Sequence, residues 1–193
     1  MKYLKLIRVQ NLAMIAFMQI LFRYTFMKTG TYTELTPTYN FLALSHLQFF
    51  LLVLATVCIA AAGYVINDIL DQETDAIAKK RIVGVSISES TAYNLYVVLN
   101  VIGVGIGFYL SNAINKPSFS ALFIITAALL YVYSTSLKQI AVVGNIIVAL
   151  IASFSIIIIG IFDLIPSTHE GNMYWQGNKE QMKQVFSILT DYA

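Results

Sequence analysis

Charge is scarce in this 193-residue sequence: only 11% of its residues are Asp, Glu, Lys or Arg, against about 25% in an ordinary soluble domain. The net charge is +2, too small to imply a polyanionic partner, so nucleic-acid binding is excluded. There is one cysteine, Cys58, so the fold does not depend on an intramolecular disulfide. The two histidines, His46 and His169, lie far from each other and from Cys58, so no zinc-type ligand set is present. Prolines number three. What fills the chain instead is apolar: 58% hydrophobic residues and a mean hydropathy of +0.73. A disordered chain and a soluble domain are both excluded. The composition is that of an integral membrane protein.

A helix needs about 20 apolar residues to cross a hydrocarbon core of about 30 Å. Five stretches are long enough, at 10–27, 43–66, 91–112, 119–137 and 143–165, and a sixth begins near Gln184. The runs are continuous rather than alternating, which predicts helices and not a β-barrel. The first stretch follows Lys2, Lys5 and Arg8 but is interrupted by Gln19 and Arg23, and no small-residue cleavage site follows. It reads as a retained span rather than a cleaved leader. Lys2, Lys5, Arg8, Lys79, Lys80, Arg81 and Lys138 fall on one side of this arrangement, and Lys28, Lys116, Lys179 and Lys183 on the other. Seven against four, with the dense clusters on the first side, predicts a cytoplasmic N-terminus and cytoplasmic loops at 67–90 and 138–142. The polar segment 166–183 then lies outside, with Tyr174 and Trp175 as interfacial anchors, and His46, Asp163 and His169 sit near that interface.

Three of the ten acidic residues crowd into nine positions after the second apolar stretch, in Asn67-Asp68-Ile-Leu-Asp71-Gln-Glu-Thr-Asp75 once the fourth, Glu73, is set aside. If the helix continues, Asn67, Asp68, Asp71 and Asp75 lie at about 0°, 100°, 40° and 80° around it, on one face. Like charges on one stripe repel and gain nothing for folding. They make sense around a cation, and carboxylates with a carboxamide are hard oxygen ligands suited to Mg²⁺. A solvated acidic helix end is the plainer alternative. Lys79-Lys80-Arg81 follows, either as a topology signal on anionic headgroups or as a clamp for phosphate oxygens.

A second cluster on the same side holds Tyr131, Tyr133, Ser134 and Lys138, then Gly144 and Asn145. Tyr131, Ser134 and Lys138 share one helical face if the helix runs through them. The first span carries Arg8, Asn11, Gln19 and Arg23 on a stripe about 120° wide, and such stripes face a bundle interior or a water-filled cavity. Arg23 reads as a structural partner or as snorkelling outward. Gly103 and Gly107 form G-x-x-x-G, which reads as close helix packing within the chain rather than a dimer seam.

Asn67-Asp68-x-x-Asp71-x-x-x-Asp75 resembles the first aspartate motif of the UbiA family of intramembrane prenyltransferases. Tyr133-Ser134-x-x-Leu137-Lys138 with Gly144-Asn145 resembles the family's next cytoplasmic signature. The opening Leu-Ile-Arg8-x-x-Asn11 and Gly63-Tyr-Val-Ile-Asn67 are similar to bacterial members that move a geranylgeranyl group onto an isoprenoid glyceryl phosphate. The resemblance implies an all-α polytopic transmembrane bundle around a central cavity, in the bacterial plasma membrane. Of that bundle, 1–193 would supply about five complete spans and the start of a sixth. It implies Mg²⁺ as cofactor, held by Asn67, Asp68, Asp71 and Asp75, with the three aspartates catalytic. It implies a polyprenyl diphosphate donor contacted by Asn67, Lys79, Arg81, Lys138, Tyr133 and Asn145, and an acceptor side that includes Asn11 and Arg8. The acceptor would be a lipid glyceryl phosphate, or an aromatic ring as in quinone synthesis.

The sequence departs from the family pattern in two places. Ala78 and Lys80 stand where asparagine and proline are usual, and the segment looks a residue or two short, which leaves Lys79 in place and puts Arg81 out of register. The family's second aspartate motif is not matched: Asp191 stands alone in Leu-Thr-Asp-Tyr-Ala. The expectation from this is a single, incomplete UbiA-type domain. The alternative of a different class is an inactive membrane fragment.

Overall fold

The structure, a computed structural model, describes residues 2–27, 42–72 and 82–176. Its helices are α1 (Lys2–Leu6), α2 (Val9–Leu21), α3 (His46–Leu70), α4 (Glu89–Ala113), α5 (Ser120–Thr135) and α6 (Ala141–Gln176). Among the described residues there is no strand, only an isolated bridge between Val83 and Ile87. The expected all-α bundle is therefore what forms. Four helical stretches of the described residues are long and apolar enough to cross a membrane: 46–70, 89–113, 117–135 and 142–166. They correspond to the second through fifth expected spans. The residues from 184 onward lie outside the described residues.

The first expected span is built differently. Its α-helix runs for 13 residues and then widens into a π-helix at Phe22–Met27. A break precedes it: Arg8 adopts φ 52°, ψ 56°, a left-handed conformation that costs a non-glycine residue roughly 1–2 kcal/mol. Neither the break nor the widened turn has a glycine or proline to announce it.

Helix starts are legible. Ser45 caps α3 in a capping box, its hydroxyl accepting from the Gln48 N–H while Gln48 Oε1 accepts from the Ser45 N–H at 2.8 Å. Ser88 caps α4 by accepting from the Thr91 N–H. The hub is α3, which packs against α2, α4 and α5. One core runs through Phe49, Leu52, Ile59, Leu110, Phe123, Ile158 and Phe162. A smaller one, at the acid-bearing end, gathers Leu6, Val65, Ile66, Ile69, Val83 and Ile87. Leu6 is fully buried there, and burying such a side chain contributes about 1.5–3 kcal/mol. That anchor holds α1 against the end of α3, two residues before Arg8.

The small residues of α4 serve this packing. A Cβ on Gly103 would lie 2.6 Å from Ile59 Cγ1, and one on Gly107 would fall into the Phe123 ring. The G-x-x-x-G stripe therefore faces α3 and α5 of its own chain, as expected. The outward faces are apolar, with Val101, Phe108, Ile125, Leu150 and Ile157 all exposed. Such surface is an aggregation liability in water and is at home against lipid tails. The chain is an integral membrane protein.

At the far end from the acidic residues, Asp163 does not sit at an interface as expected. It is fully buried and pairs with Arg23, whose Nε lies 2.8 Å from Oδ2 and whose Nη2 lies 3.2 Å from Oδ1. Asp163 Oδ1 also accepts from the Leu44 N–H at 2.9 Å, and Arg23 Nη2 donates to the Leu44 carbonyl. The Arg23 guanidinium lies over the Phe49 ring at 4.4 Å. Arg23 is thus a structural partner, and the clamp ties the π-turn, the lead into α3 and α6 together.

Candidate active site

The acidic end of α3 is where polar groups converge. The helix stops at Leu70, with Asp71 as its C-cap at φ −93°, ψ 12°. The helix therefore ends before the expected stripe reaches Asp75, which lies outside the described residues. Asn67 and Asp71 still meet, because the C-cap keeps the last turn closed: the Asp71 N–H donates to the Asn67 carbonyl at 3.0 Å, and Asn67 Nδ2 donates to Asp71 Oδ2 at 2.9 Å. Asp68, nearly buried, meets the Arg8 guanidinium at 3.1 Å.

Lys138 arrives from a different element. α5 ends at Thr135, and Lys138 sits on a short 3-10 turn at Leu137–Gln139. The expected common face of Tyr131, Ser134 and Lys138 is consequently broken. Tyr131 is exposed, Ser134 is buried, and Lys138 turns toward α3. Its ammonium lies 2.5 Å from Asp71 Oδ1 and 3.5 Å from Asn67 Oδ1. The side chains of this pair are 18% and 26% exposed, shielded enough that the attraction exceeds that of a surface ion pair.

Arg8 owes its place to the left-handed break before α2. It takes the N-cap position with no side-chain cap of its own, and a cation there opposes the helix dipole. Backbone strain and an unfavourable dipole thus accompany the Arg8–Asp68 ion pair. The guanidinium also lies 5.0 Å from the centre of the Tyr64 ring, and Asn11 Nδ2 donates to the Tyr64 hydroxyl at 3.2 Å. Tyr64 was not singled out from the sequence. Its signal was available, since it sits three residues before Asn67 and so shares its helical face.

Beneath this polar rim lies a cavity of about 390 Å³. Arg8 and four helices line it: Asn11 and Ile15 of α2; Thr56, Ala60, Gly63, Tyr64 and Asn67 of α3; Phe123, Thr126, Leu130 and Tyr133 of α5; Val148, Ile151, Ala152, Ser155 and Ile158 of α6. Gly63 matters here, because a Cβ on it would meet the Leu130 side chain at 3.0 Å and close the cavity wall. Below the rim the walls are mostly apolar, with Thr56, Thr126 and Ser155 among them. Gln19, fully buried, is bonded behind two of these residues. Its Nε2 donates to the Ser155 carbonyl at 2.5 Å, and the Thr56 hydroxyl lies 2.9 Å from its Oε1.

Of the expected site residues, the structure brings Arg8, Asn11, Asn67 and Tyr133 to the cavity, with Asp68, Asp71 and Lys138 bound to that rim. Asn145 is exposed on the first turn of α6 and does not line the cavity. Lys79 and Arg81 lie outside the described residues. Among the described residues no three His, Cys, Asp or Glu side chains converge on one point. The donor chemistry nonetheless suits a hard divalent cation: the ammonium of Lys138 lies within reach of oxygens of both Asp71 and Asn67, so these two oxygens already accommodate a positive charge.

A model of the UbiA prenyltransferase family matches residues 37–168. The digeranylgeranylglyceryl phosphate synthase of Sulfolobus acidocaldarius is 37% identical over 162 residues, covering 79% of this chain and 50% of that protein. The synthase of the same name from Sulfurisphaera tokodaii is 38% identical over 99 residues, 50% of this chain and 34% of its own length. The Korarchaeum cryptofilum synthase is 36% identical over 100 residues, 50% of this chain and 33% of its own. This chain thus spans half or less of the length of these relatives. A solved structure concerned with digeranylgeranylglyceryl phosphate synthase in membranes superposes with a TM-score of 0.67 at 22% identity, over 86% of this chain and 55% of that one. At that identity the likeness is one of fold.

Proposed function

This chain belongs to the UbiA prenyltransferase family, and from that premise we propose that it serves to transfer a geranylgeranyl group from its diphosphate to the hydroxyl of an isoprenoid glyceryl phosphate. The observation that carries this reading is the rim of Arg8, Asn67, Asp68, Asp71 and Lys138 set over an apolar cavity. A prenyl diphosphate has the same two-part chemistry, a polyanionic head on a branched hydrocarbon tail. The names of the relatives favour the glyceryl phosphate acceptor over an aromatic one.

In this reading the head lies at the rim and the tail in the cavity. Arg8 and Lys138 leave their carboxylates for phosphate oxygens, with charge-assisted hydrogen bonds on both sides of the head. The freed oxygens of Asp71 and Asn67, with Asp68 and Asp75, would hold Mg²⁺. That ion, when bound, offsets the negative charge that develops on the departing diphosphate. The allylic C–O bond breaks with its electron pair going to the diphosphate oxygen. The acceptor hydroxyl oxygen bonds the allylic carbon, and its proton passes to the released diphosphate. Tyr64 and Tyr133 stand between rim and cavity, where their ring faces favour a carbon bearing positive charge. The apolar walls keep water from that carbon. The lysine and arginine asymmetry favours a rim that faces the cytoplasm.

The test is product formation by the protein expressed from its native reading frame in membranes, supplied with radiolabelled geranylgeranyl diphosphate, geranylgeranylglyceryl phosphate and Mg²⁺. A doubly prenylated glyceryl phosphate is expected. Product with an aromatic acceptor alone would overturn the acceptor, and release of free geranylgeraniol without transfer to either would overturn the reaction.

A further inference from the structure

Both carboxylates described at the rim are matched by a cation from another element. Asp68 Oδ1 takes Arg8, from the break before α2, and Asp71 Oδ1 takes Lys138, from the turn after α5. The second oxygen of Asp71 is engaged too, accepting from Asn67 Nδ2 at 2.9 Å. The Lys138 ammonium also lies 3.5 Å from Asn67 Oδ1. It therefore stands between the two oxygens that would hold a metal. Its backbone is packed from behind by the first turn of α6: a Cβ on Gly144 would lie 3.3 Å from the Leu137 carbonyl oxygen and 3.3 Å from Lys138 Cα. The turn has little room to retreat toward α6, whereas the flexible four-carbon stem of the lysine can swing without it.

This arrangement resists either half of a metal–diphosphate ligand arriving alone. A divalent ion alone must displace the ammonium from Asp71 and leave it shielded from water without a counter-charge, which is unfavourable. A diphosphate alone draws Arg8 and Lys138 away and sets its own negative charge against the carboxylates they leave. When both arrive, phosphate oxygens take the two cations and the metal takes the oxygens of Asp71 and Asn67. Only the pair leaves every charge matched. Resting on the proposed function above, we propose that Lys138 is an internal counter-ion that keeps the metal site of the ligand-free protein shut, so that divalent metal and prenyl diphosphate each bind well only with the other present. By linkage, the donor then strengthens metal binding by the same factor as the metal strengthens donor binding.

The ion pair also has a plain structural use, tying the end of α3 to the turn after α5. The two roles separate by substitution. Lys138→Met removes the counter-ion, and a mere tie would then weaken the fold without improving metal binding. Lys138→Gln also removes the charge but keeps a hydrogen-bond donor for Asp71, which guards against a methionine variant that does not fold. Lys2→Met is the control for charge: Lys2 stands at the same end of the bundle, where its ammonium donates to the Ser86 carbonyl rather than to Asp71.

The experiment is manganese uptake by the protein expressed from its native reading frame, in lipid nanodiscs at buffered free Mn²⁺, with uptake by empty discs subtracted. Mn²⁺ takes the same oxygen ligands as Mg²⁺, and with no acceptor supplied the readout is metal bound, not turnover. The parent should bind Mn²⁺ at least about tenfold more tightly with geranylgeranyl diphosphate than without it, inside the range of about 5–150-fold common for coupled ligands. Without donor, Lys138→Met and Lys138→Gln should each bind Mn²⁺ at least about tenfold more tightly than the parent, and the donor should then add less than it adds in the parent. Lys2→Met should change donor-free uptake by less than about twofold, because its exposed charge is screened. Donor-free uptake that is unchanged in both Lys138 variants overturns the proposal, as does an equal gain in Lys2→Met or a parent that binds Mn²⁺ equally well with and without donor. Asp71→Asn separates this failure from that of the functional reading. If Asp71→Asn loses the donor-dependent uptake while the Lys138 variants match the parent, the metal lies at the rim and only the counter-ion role is wrong. If Asp71→Asn keeps that uptake in full, the metal does not lie on Asp71, and the functional reading of the rim falls together with the proposal.

Discussion

Replacing Asp163 with asparagine removes one half of an ion pair whose side chains are 2% and 0% exposed. The carboxamide would keep the shape and one acceptor for the Leu44 N–H, but the Arg23 guanidinium would remain buried without a counter-charge. Among the described residues its Nη1 already has no hydrogen-bond partner, and the Phe49 and Tyr24 rings lie 4.4 and 5.8 Å from the guanidinium carbon. Breaking a buried pair from one side costs about 3–5 kcal/mol, which agrees with the roughly 2.5–3.5 kcal/mol for placing an arginine at mid-membrane. At about 1.4 kcal/mol per factor of ten, the unfolded fraction rises by two to four orders of magnitude. Arg23→Met should cost less, because a stranded carboxyl can take a proton whereas a guanidinium cannot lose one. The double variant Arg23→Met, Asp163→Leu should recover only part of the loss, since it removes the stranded charge but also the partners of the Leu44 N–H and carbonyl. Denaturant unfolding in one fixed detergent, followed by helix content, measures all four proteins. Additive losses of under about 1 kcal/mol each would refute the reasoning, because uncoupled sites have no pair between them.

Three further outcomes follow from the same geometry. Gly107→Leu should destabilise severely because it drives atoms into Phe123, while Gly105→Ala, whose Cβ meets nothing within 4 Å among the described residues, should be neutral or gain up to about 1 kcal/mol of helix propensity; equal stabilities by the same unfolding assay would contradict the packing. Arg8→Gly relieves a left-handed arginine while removing a rim cation, so thermal stability should hold or rise by up to about 1 kcal/mol as donor binding weakens at least about tenfold; parallel loss of both would mean that Arg8 serves the fold. With Cys58 replaced, Ser86→Cys in intact cells should resist an impermeant thiol reagent, and its labelling from outside would reverse the assigned orientation.

How much of this was legible in the sequence depends on the range of each interaction. Long apolar runs place α3 to α6 because burial in lipid is a property of a segment, not of a partner. Ser45 and Ser88 announce helix starts because capping acts over three residues. Asp163 was misplaced because its partner Arg23 is 140 positions away, and nothing local distinguishes an interfacial aspartate from a clamped one. Lys138 was read on a helical face that does not exist, since its approach to Asp71 depends on α5 ending at Thr135. The acidic cluster was visible through like-charge crowding, yet its division was not: Asp68 goes to Arg8, and Asn67 with Asp71 goes to Lys138. Thr56, Ala60, Gly63 and Asn67 form a small and polar stripe at helical spacing that could have marked the cavity wall. It was hidden by the uniform hydropathy of α3.

In the proposed function Asn67, Asp68 and Asp71 hold the metal and donor head at the rim. Geranylgeranyl diphosphate binding to the protein in lipid nanodiscs, with and without Mg²⁺, tests this in the parent protein and in Asp68→Asn and Asp71→Asn. The parent should bind more tightly with Mg²⁺ by at least about tenfold, equivalent to about 1.4 kcal/mol, and both variants should lose that gain while keeping their helix content. Binding that ignores Mg²⁺ in the parent, or that keeps its full Mg²⁺ dependence in both variants, would mean that these residues do not hold the metal.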